Sequence, residues 1–183
     1  IMASIIKANQ LQDFGGNSIL TSDGSGVVTP NASGIKSTPA FEAYLGSDQT
    51  GISDATYTKV QFNTETFDTD STYDNSTNYR FTPAVEGKYY IYGNLCLQTT
   101  GGHELNLGIT SIYLNGTLYR STILDPNTTA MISCNLPIDA TMNLSATDYV
   151  EIFAYIERTS GGSRDIKSGS KRTYFGAYKI IGA

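Results

Sequence analysis

The sequence predicts an all-β protein built as a two-layer sandwich. Apolar and polar residues alternate along much of the chain, as expected for strands that bury one face. The chain contains 13 Tyr and 18 Gly; aromatic side chains suit a pleated surface, and glycine suits the turns between short strands. Turn signals recur about every 8–12 residues, which is typical of a β-sandwich. No segment predicts a helix longer than one turn.

The first strands of the sandwich follow from simple alternation. Phe41, Ala43 and Leu45 alternate with more polar neighbours, and a second alternating run covers residues 60–64. A loop rich in Asp, Ser, Thr and Asn occupies residues 68–78 and ends this part of the sheet.

The longest predicted strand covers residues 89–97, and its two faces differ. One face is inward and apolar: Tyr89, Ile91, Gly93, Leu95 and Leu97. The opposite face carries Tyr90, Tyr92, Asn94 and Cys96. Two neighbouring outward tyrosines form an apolar patch that is costly to leave in water.

The remaining strands are marked by a turn and by alternation. Leu105, Leu107 and Ile109 are predicted to share one face, with a change of phase at residues 110–111. Asn115-Gly116 predicts a tight hairpin turn, because this pair favours the turn whose twist matches the flanking strands. Alternating residues predict a strand over 150–156, and residues 173–181 form the closing strand.

The first 38 residues differ from the rest. Two short apolar segments flank Asp23-Gly24-Ser25-Gly26 and predict a β-hairpin, which is marginal without a partner to bury its apolar face. We interpret 1–38 as an anchoring arm and linker and 39–183 as the head. The predicted anchoring side chains are Ile5, Ile6, Leu11, Ile19 and Leu20.

A spaced set of aromatic residues and glycines resembles a known family. The set consists of Phe62, Asp68, Tyr73, Phe81 and the segment Gly87-Lys88-Tyr89-Tyr90-Ile91. It is similar to the signature of the complement C1q and tumour necrosis factor (TNF) family of trimeric jelly rolls. Similar segments follow in the expected order at 112–116, 144–150 and 175–178, so the resemblance covers about 39–181. Phe81 comes one residue late, and Ile91 replaces the usual Phe.

The resemblance implies a jelly-roll sandwich and a homotrimer in which the outer face of the long strand lines the three-fold axis. The residues expected at this interface are Tyr44, Tyr90, Tyr92, Asn94 and Tyr178. The alternative is that these side chains coat an exposed sheet face.

Catalytic and metal-binding patterns are weak. His103 is the single histidine and lies in a Gly-rich stretch without a nucleophile motif, so we expect a solvated loop residue, no enzyme and no cofactor. Asp68, Asp70 and Asp74 form an oxygen-rich loop that is a weak calcium candidate, and turn formation is the favoured explanation of these residues. A carbohydrate hydrolase or lyase stays open, because paired carboxylates are brought together by the fold.

Five basic residues cluster near the carboxyl end: Arg158, Arg164, Lys167, Lys171 and Arg172. The surrounding Gly and Ser predict a flexible loop between the last two strands. This loop is a candidate site for an anionic partner such as host-surface polysaccharide or an acidic protein. A solvated, charge-balancing loop is the alternative.

Charge and cysteine content limit the partners. The net charge of −5 disfavours nucleic acid, and no run of 18 apolar residues predicts a membrane span. Cys96 and Cys134 could form a disulfide or stay as separate thiols. The first residues show no secretory-signal pattern.

Two functional hypotheses follow. The first is a non-enzymatic virion protein of bacteriophage type: a trimeric capsid-decoration, tail-fibre or spike head, docked by residues 1–38 onto other virion proteins and used in host attachment. The second is a secreted, extracellular C1q/TNF-like ligand or pattern-recognition protein. It predicts glycans at Asn-X-Ser/Thr sites, which occur at Asn31, Asn75, Asn115, Asn127 and Asn143.

Overall fold

The described part of the chain is built of β-strands joined by turns and loops. The computed structural model describes residues 8–31, 36–101, 104–126, 131–159 and 161–181. Within these ranges it contains no helix, as the alternating pattern predicts. In chain order the strands are β1 (Gln10–Gln12), β2 (Ser18–Ser22), β3 (Val28–Pro30), β4 (Ala40–Tyr44), β5 (Thr58–Lys59), β6 (Thr64–Asp68), β7 (Tyr73–Asp74), β8 (Arg80–Phe81), β9 (Gly87–Thr99), β10 (Leu105–Leu114), β11 (Thr117–Leu124), β12 (Ser133–Leu144), β13 (Val150–Arg158), β14 (Arg164–Lys167) and β15 (Tyr174–Lys179).

The strands form three sheets. Sheet I has the order β12-β9-β15-β4-β6, with β14 also paired to β9. Sheet II has the order β11-β10-β13-β8-β7, with β5 also paired to β13. Strands β1, β2 and β3 form a separate antiparallel sheet, named here the N-terminal ribbon. Sheets I and II pack face to face and enclose the hydrophobic core.

Aromatic rings fill one end of the core. Phe41 of β4 stacks on Tyr73 and Phe81, with ring centroids 4.6 and 4.8 Å away, and Phe175 meets it edge-on at 4.9 Å. These rings come from both sheets, so the pairs join the two layers. Phe62 is fully buried against the same group. The aromatic residues of the sequence signature therefore serve mainly as core.

The alternating run at 60–64 is not one strand. Strand β5 ends at Lys59 in sheet II, and β6 begins at Thr64 in sheet I, so the intervening residues cross the sandwich. Val60 and Phe62 point into the core during this crossing and are fully buried. The alternation therefore indicates only that one side of the segment is buried. A segment that crosses the sandwich has this property, just as a strand does.

The predicted phase of β10 is also wrong. A bulge at Asn106 places Leu105 in the core but turns Leu107 and Ile109 to the outer side of sheet II. Thr110 then points inward and is fully buried, and its hydroxyl donates a hydrogen bond of 2.9 Å to the Leu136 carbonyl. The inward–outward alternation of β10 therefore changes phase at the Asn106 bulge and not at the predicted residues 110–111.

Strand β12, which the sequence patterns above do not predict, forms the edge of sheet I. From Asn135 to Leu144 its residues alternate between exposed and buried, and Cys134 before them is half-buried. Pro137 lies within β12. Proline has no backbone N–H to donate, and an edge strand tolerates this because one of its sides has no partner strand. Together β12 and β9 form the longest paired ladder of the sandwich, from Ser133 to Leu144.

Candidate functional site

The outer face of sheet I carries a group of tyrosines, named here the tyrosine face: Tyr44, Tyr90, Tyr92, Tyr174 and Tyr178. Residues directly opposite each other on adjacent antiparallel strands point to the same side of the sheet. The register places Tyr90 opposite Tyr178, and Tyr174 opposite both Asn94 and Tyr44. Because β9, β15 and β4 are adjacent, the five rings emerge on one surface.

The rings on β9 and β15 are in mutual contact. The Tyr90 centroid lies 6.0 Å from that of Tyr92 and 5.6 Å from that of Tyr178, and Tyr92 lies 6.3 Å from Tyr174. These distances are typical of attractive aromatic pairs. Tyr178 is 42% exposed, and the other rings are half-buried. The result is a continuous aromatic patch, which is the kind of surface that marks an interaction site.

The position of Tyr92 depends on a glycine. Gly176 of β15 lies directly opposite Tyr92, and a Cβ atom at this position would collide with the Tyr92 ring. The missing side chain lets the ring lie across β15, where the Tyr92 hydroxyl donates a hydrogen bond of 3.0 Å to Glu42 Oε2 on β4. Burial, together with the Glu42 carboxylate, raises the pKa of Tyr92 well above its usual range. The hydroxyl is therefore neutral and its donor role is fixed.

A groove of about 420 Å³ runs along this surface. Tyrosine rings from β9 and β15 form one wall, and Pro137, Ile138 and Asp139 of edge strand β12 form the other. Its accessible lining is mixed: tyrosine rings and Pro137 supply apolar surface, and the Asp139 carboxylate and the tyrosine hydroxyls supply polar groups in nearly equal measure. A mixed surface of this kind suits contact with another polypeptide surface.

Asn94, also predicted at this face, has a structural role. It is 8% exposed, and its side-chain amide donates to the Arg172 carbonyl and, at 3.4 Å, to Asn135 Oδ1. These bonds tie β9 to the segment before β15 and to β12. Asn94 thus supports the tyrosine face from its end.

Two residues of this site were missing from the sequence prediction. Tyr174 lies four residues before Tyr178 on β15, so the period of two places both on one face. Glu42 alternates with the buried Phe41 and Ala43 in the same manner. Both could have been found by extending the alternation, whereas the Tyr92–Glu42 contact needed the register of three strands.

The basic cluster is divided by the fold. The sequence predicts a loop here, but Arg164 and Lys167 lie on strand β14. This segment is held in the sheet because Ile166, between them, is buried in the core. Arg164 Nη1 pairs with Asp54 at 3.2 Å, and Lys167 pairs with Asp48. These two cations are committed to the protein itself.

The other basic residues of the cluster have different surroundings. Arg158 ends β13, and its Nη1 atom is buried with no hydrogen-bond partner among the residues described. Lys171 and Arg172 are exposed on the turn before β15. These two form the accessible part of the cluster.

The acidic loop is built by turn chemistry. Asp68 accepts hydrogen bonds from the Tyr73 and Asp70 amides, at 2.8 and 3.3 Å. Asp74 accepts from the amides of residues 76–78, which lowers the pKa of its carboxyl well below the usual range. The Asp68 and Asp74 oxygens already have donors, which accounts for this loop without a cation. In the described part of the chain, no group of three or more His, Cys, Asp or Glu residues could hold a metal. His103 lies outside the described residues.

The two cysteines are free and lie on opposite faces of sheet I. Cys134 is opposite Leu97 and therefore points inward, whereas Cys96 is opposite Asn135 and points outward. Cys96 Sγ lies 3.8 Å from Ser133 Oγ. Burial raises the pKa of Cys134 to about 11, so this thiol is protonated at neutral pH. The alternative with separate thiols is the one that the fold supports.

The predicted anchoring residues lie partly on the N-terminal ribbon. Leu11 is 53% exposed on β1, and Ile19 and Leu20 are half-buried on β2. Ile5 and Ile6 lie outside the described residues. The predicted hairpin is present as β2 and β3, and β1 adds a third strand. In the described ranges no helix is long and apolar enough to cross a membrane.

Comparisons with known proteins identify the fold. No protein-family model matches the chain, and no curated protein matches it. Among solved structures, the Eiger TNF from S. frugiperda is similar at a TM-score of 0.56 and 12% identity, covering 81% of this chain and 96% of that one. The globular domain of the zebrafish complement 1qA protein is similar at a TM-score of 0.53 and 18% identity, covering 78% and 98%.

These likenesses confirm the predicted fold class. The chain is an all-β, C1q/TNF-like jelly-roll sandwich. At such low identity the likeness establishes the fold alone, so function has to be argued from the surfaces of this chain. The boundary between arm and head at residue 38 stays a prediction.

Proposed function

We propose that this chain is a non-enzymatic, homotrimeric head of the C1q/TNF-like type and that the tyrosine face forms part of the contact between protomers. The observation that carries the proposal is the tyrosine face itself, whose contacting rings open onto a groove instead of the core. A contiguous aromatic surface of this kind gains free energy when a partner removes it from water.

A three-fold contact joins two different surfaces of the same chain, because a cyclic trimer is closed by heterologous interfaces. A second apolar surface lies on β11, the edge strand of sheet II. Its side chains Leu118, Tyr119 and Ile123 are 48%, 45% and 61% exposed. In the proposed trimer this edge packs into the groove of the neighbouring protomer.

The test replaces an interface tyrosine with a charge. Tyr90→Asp places a carboxylate in the middle of the aromatic patch, where trimer formation would bury it without a partner. We expect light scattering to show monomers at concentrations where the unmodified chain is trimeric. Tyr155→Asp is the control, because Tyr155 is a half-buried tyrosine on the outer face of sheet II that lies on β13, two strands away from the proposed contact at the β11 edge.

The control distinguishes loss of the interface from loss of protomer stability. The Tyr155 variant should stay trimeric with a similar loss of protomer stability. If both variants keep the trimer mass, the tyrosine face is not the interface. If both lose it equally, the effect is one of folding and the proposed contact is unsupported.

For the biological setting, we propose a virion of bacteriophage type, with the head carried by its N-terminal ribbon on other virion proteins as a decoration, fibre or spike. The exposed apolar residues of the ribbon support an attached element, since Leu11, Val27 and Val28 are each more than half exposed. The competing setting is a secreted ligand.

Protein from its native source distinguishes the two settings. The secreted alternative expects glycans on the Asn-X-Ser/Thr sites, whereas a virion protein assembled in a host cytoplasm carries none. Asn115 is an informative site, because a glycan would be attached to its side-chain amide, and in the fold this amide donates a 2.8 Å hydrogen bond to Asp148. Glycopeptides found by mass spectrometry would contradict the virion setting.

An anionic partner is best supported at Lys171 and Arg172, the exposed members of the basic cluster. We propose that these two residues contact an acidic host-surface polysaccharide. Replacing both with Ala should weaken binding of an acidic polysaccharide in a salt-dependent manner. Unchanged binding at low salt would remove this part of the proposal.

A further inference from the structure

One face of the N-terminal ribbon is apolar, and within the described ranges its residues Leu11 and Val28 are more than half exposed. Leu11, Leu20 and Pro30 lie opposite one another across β1, β2 and β3 and therefore share a face. Val28 lies opposite Ser22, two residues beyond Leu20 on β2, so it points to the same side. A shallow cavity of about 150 Å³ opens between Leu11, Leu20 and Val28. A single-layer sheet cannot bury such a face by itself.

This face also lacks charge. Residues 8–30 contain two charged side chains, Asp13 and Asp23, and both lie in the turns between strands. Asp13 accepts hydrogen bonds from Asn17, and Asp23 accepts from the amides of Ser25 and Val27. Identical residues meet each other around a symmetry axis, so a charge on the packed face would oppose its own copies. The ribbon meets this requirement for self-association.

The connection to the head supplies proximity. Nine residues separate Pro30, the end of β3, from Ala40, the start of β4, and an extended chain of this length reaches about 35 Å. In a trimeric head the three ribbons are therefore held within a short distance of one another. Short tethers of this kind give effective concentrations in the millimolar range, at which weak apolar contacts form.

We propose that the three ribbons of the trimer pack against one another through the face formed by Leu11, Leu20 and Val28. This inference rests on the proposed trimeric head and adds an element to it: a shared stalk made of three small sheets. The stalk, and not a separate arm from each chain, is then the unit that joins the head to its assembly, so Leu11 and Val28 contact other copies of the chain and the outer surface of the stalk is what remains for virion proteins. Ile19 lies on the opposite face of β2 and is left on the outside of the stalk.

The test compares two adjacent residues of β3 in the full-length chain. Val28→Asp places a charge on the packed face, and Thr29→Asp places it on the outer face. Val28 and Thr29 are both exposed within a single chain and both β-branched, so the two changes affect the ribbon alone to a similar degree. Hydrogen exchange of the amides of residues 18–22 reports ribbon protection, and light scattering on the same samples reports the mass.

The expected result is a trimer for all three proteins, with exchange about tenfold faster in Val28→Asp and close to the unmodified rate in Thr29→Asp. A trimer in which the two variants exchange equally overturns the stalk and leaves the proposed head intact. A monomeric unmodified chain overturns both. The two proposals therefore fail by distinguishable results.

Discussion

The two outer faces of the sandwich both carry aromatic rings, but they complete their packing in different ways. On sheet II the chain covers its own rings: Tyr57 packs on Tyr113 and Tyr155, with centroids 6.0 and 5.2 Å away. Tyr113 in turn lies 4.2 Å from Phe153. On sheet I the corresponding rings line a groove. An aromatic surface alone therefore does not indicate an interface, since the sheet II rings pack on a tyrosine of the segment before β5 that is itself 37% exposed.

Electrostatics strengthens the contrast. Beside the sheet II rings, Lys59 Nζ lies 2.5 Å from Glu151 Oε1 and 5.9 Å from the Phe153 centroid. The Glu151 side chain is 5% exposed, so its charge is neutralised within the chain. The groove on sheet I has no comparable ion pair among its described lining residues. In the proposed trimer the tyrosine face of sheet I is covered by another copy, whereas the region of sheet II around Lys59 and Glu151 is complete within the protomer and only the β11 edge of that sheet takes part in the contact.

The largest expected effect breaks the closed face. Lys59→Met leaves the Glu151 carboxylate buried without its cation, which should cost about 3 kcal/mol of unfolding free energy. This value is at the low end for a buried pair, because the Lys59 side chain is 34% exposed. Denaturant unfolding at neutral pH measures the loss, and the trimer mass should not change. Lys59→Arg keeps the charge and is the control; an equal loss in both would show that packing matters, not the ion pair.

A smaller effect is expected at the open face. Gly176→Ala adds a Cβ atom that collides with the Tyr92 ring and also meets the Phe41 carbonyl oxygen of β4 at 2.9 Å. It therefore displaces the ring, breaks the ring's hydrogen bond to Glu42 and strains the pairing of β15 with β4. Overpacking of this kind should cost about 1–2 kcal/mol. Because Tyr92 is part of the proposed interface, the dilution series should also show a weaker trimer. A destabilised protomer with unchanged trimer affinity would separate Tyr92 from the interface.

The smallest effect concerns the ionisation of Tyr92. Its pKa is raised in the folded protein by burial and by Glu42, whereas an unfolded tyrosine ionises near 10. The stabilisation is therefore fully present below about pH 10 and is lost as the pH rises beyond it. Tyr92→Phe should lose about 1 kcal/mol at pH 8 through the missing hydrogen bond. The difference between the two proteins should shrink above pH 10, and a constant difference would contradict this assignment.

Much of this architecture could be predicted from alternation. The two faces of β9 followed from a period of two, which placed Tyr90 and Tyr92 outward as the structure has them. The same period would have given β12, whose buried residues recur at every second position. The short polar residues between them, together with Pro137, concealed the strand. Tyr174 was missed, although Tyr178, which lies on the same face of β15 four residues later, was predicted.

Other features required the fold itself. The separation of Cys96 from Cys134 depends on the register between β9 and β12, since a shift of one residue would put both thiols on one face. The Lys59–Glu151 pair joins strands that are distant in sequence. The division of the basic cluster depends on β14 pairing with β9, which composition alone did not indicate. Sequence patterns therefore did not predict the contacts between strands that are distant in the sequence.

The solution mass of the full-length chain, measured by light scattering over a dilution series, is the most direct test of the proposed trimer. We expect three times the chain mass of 19.7 kDa, with dissociation to monomers on dilution and no stable dimer. A monomer at every concentration would show that the tyrosine face of sheet I is not completed by another copy of the chain.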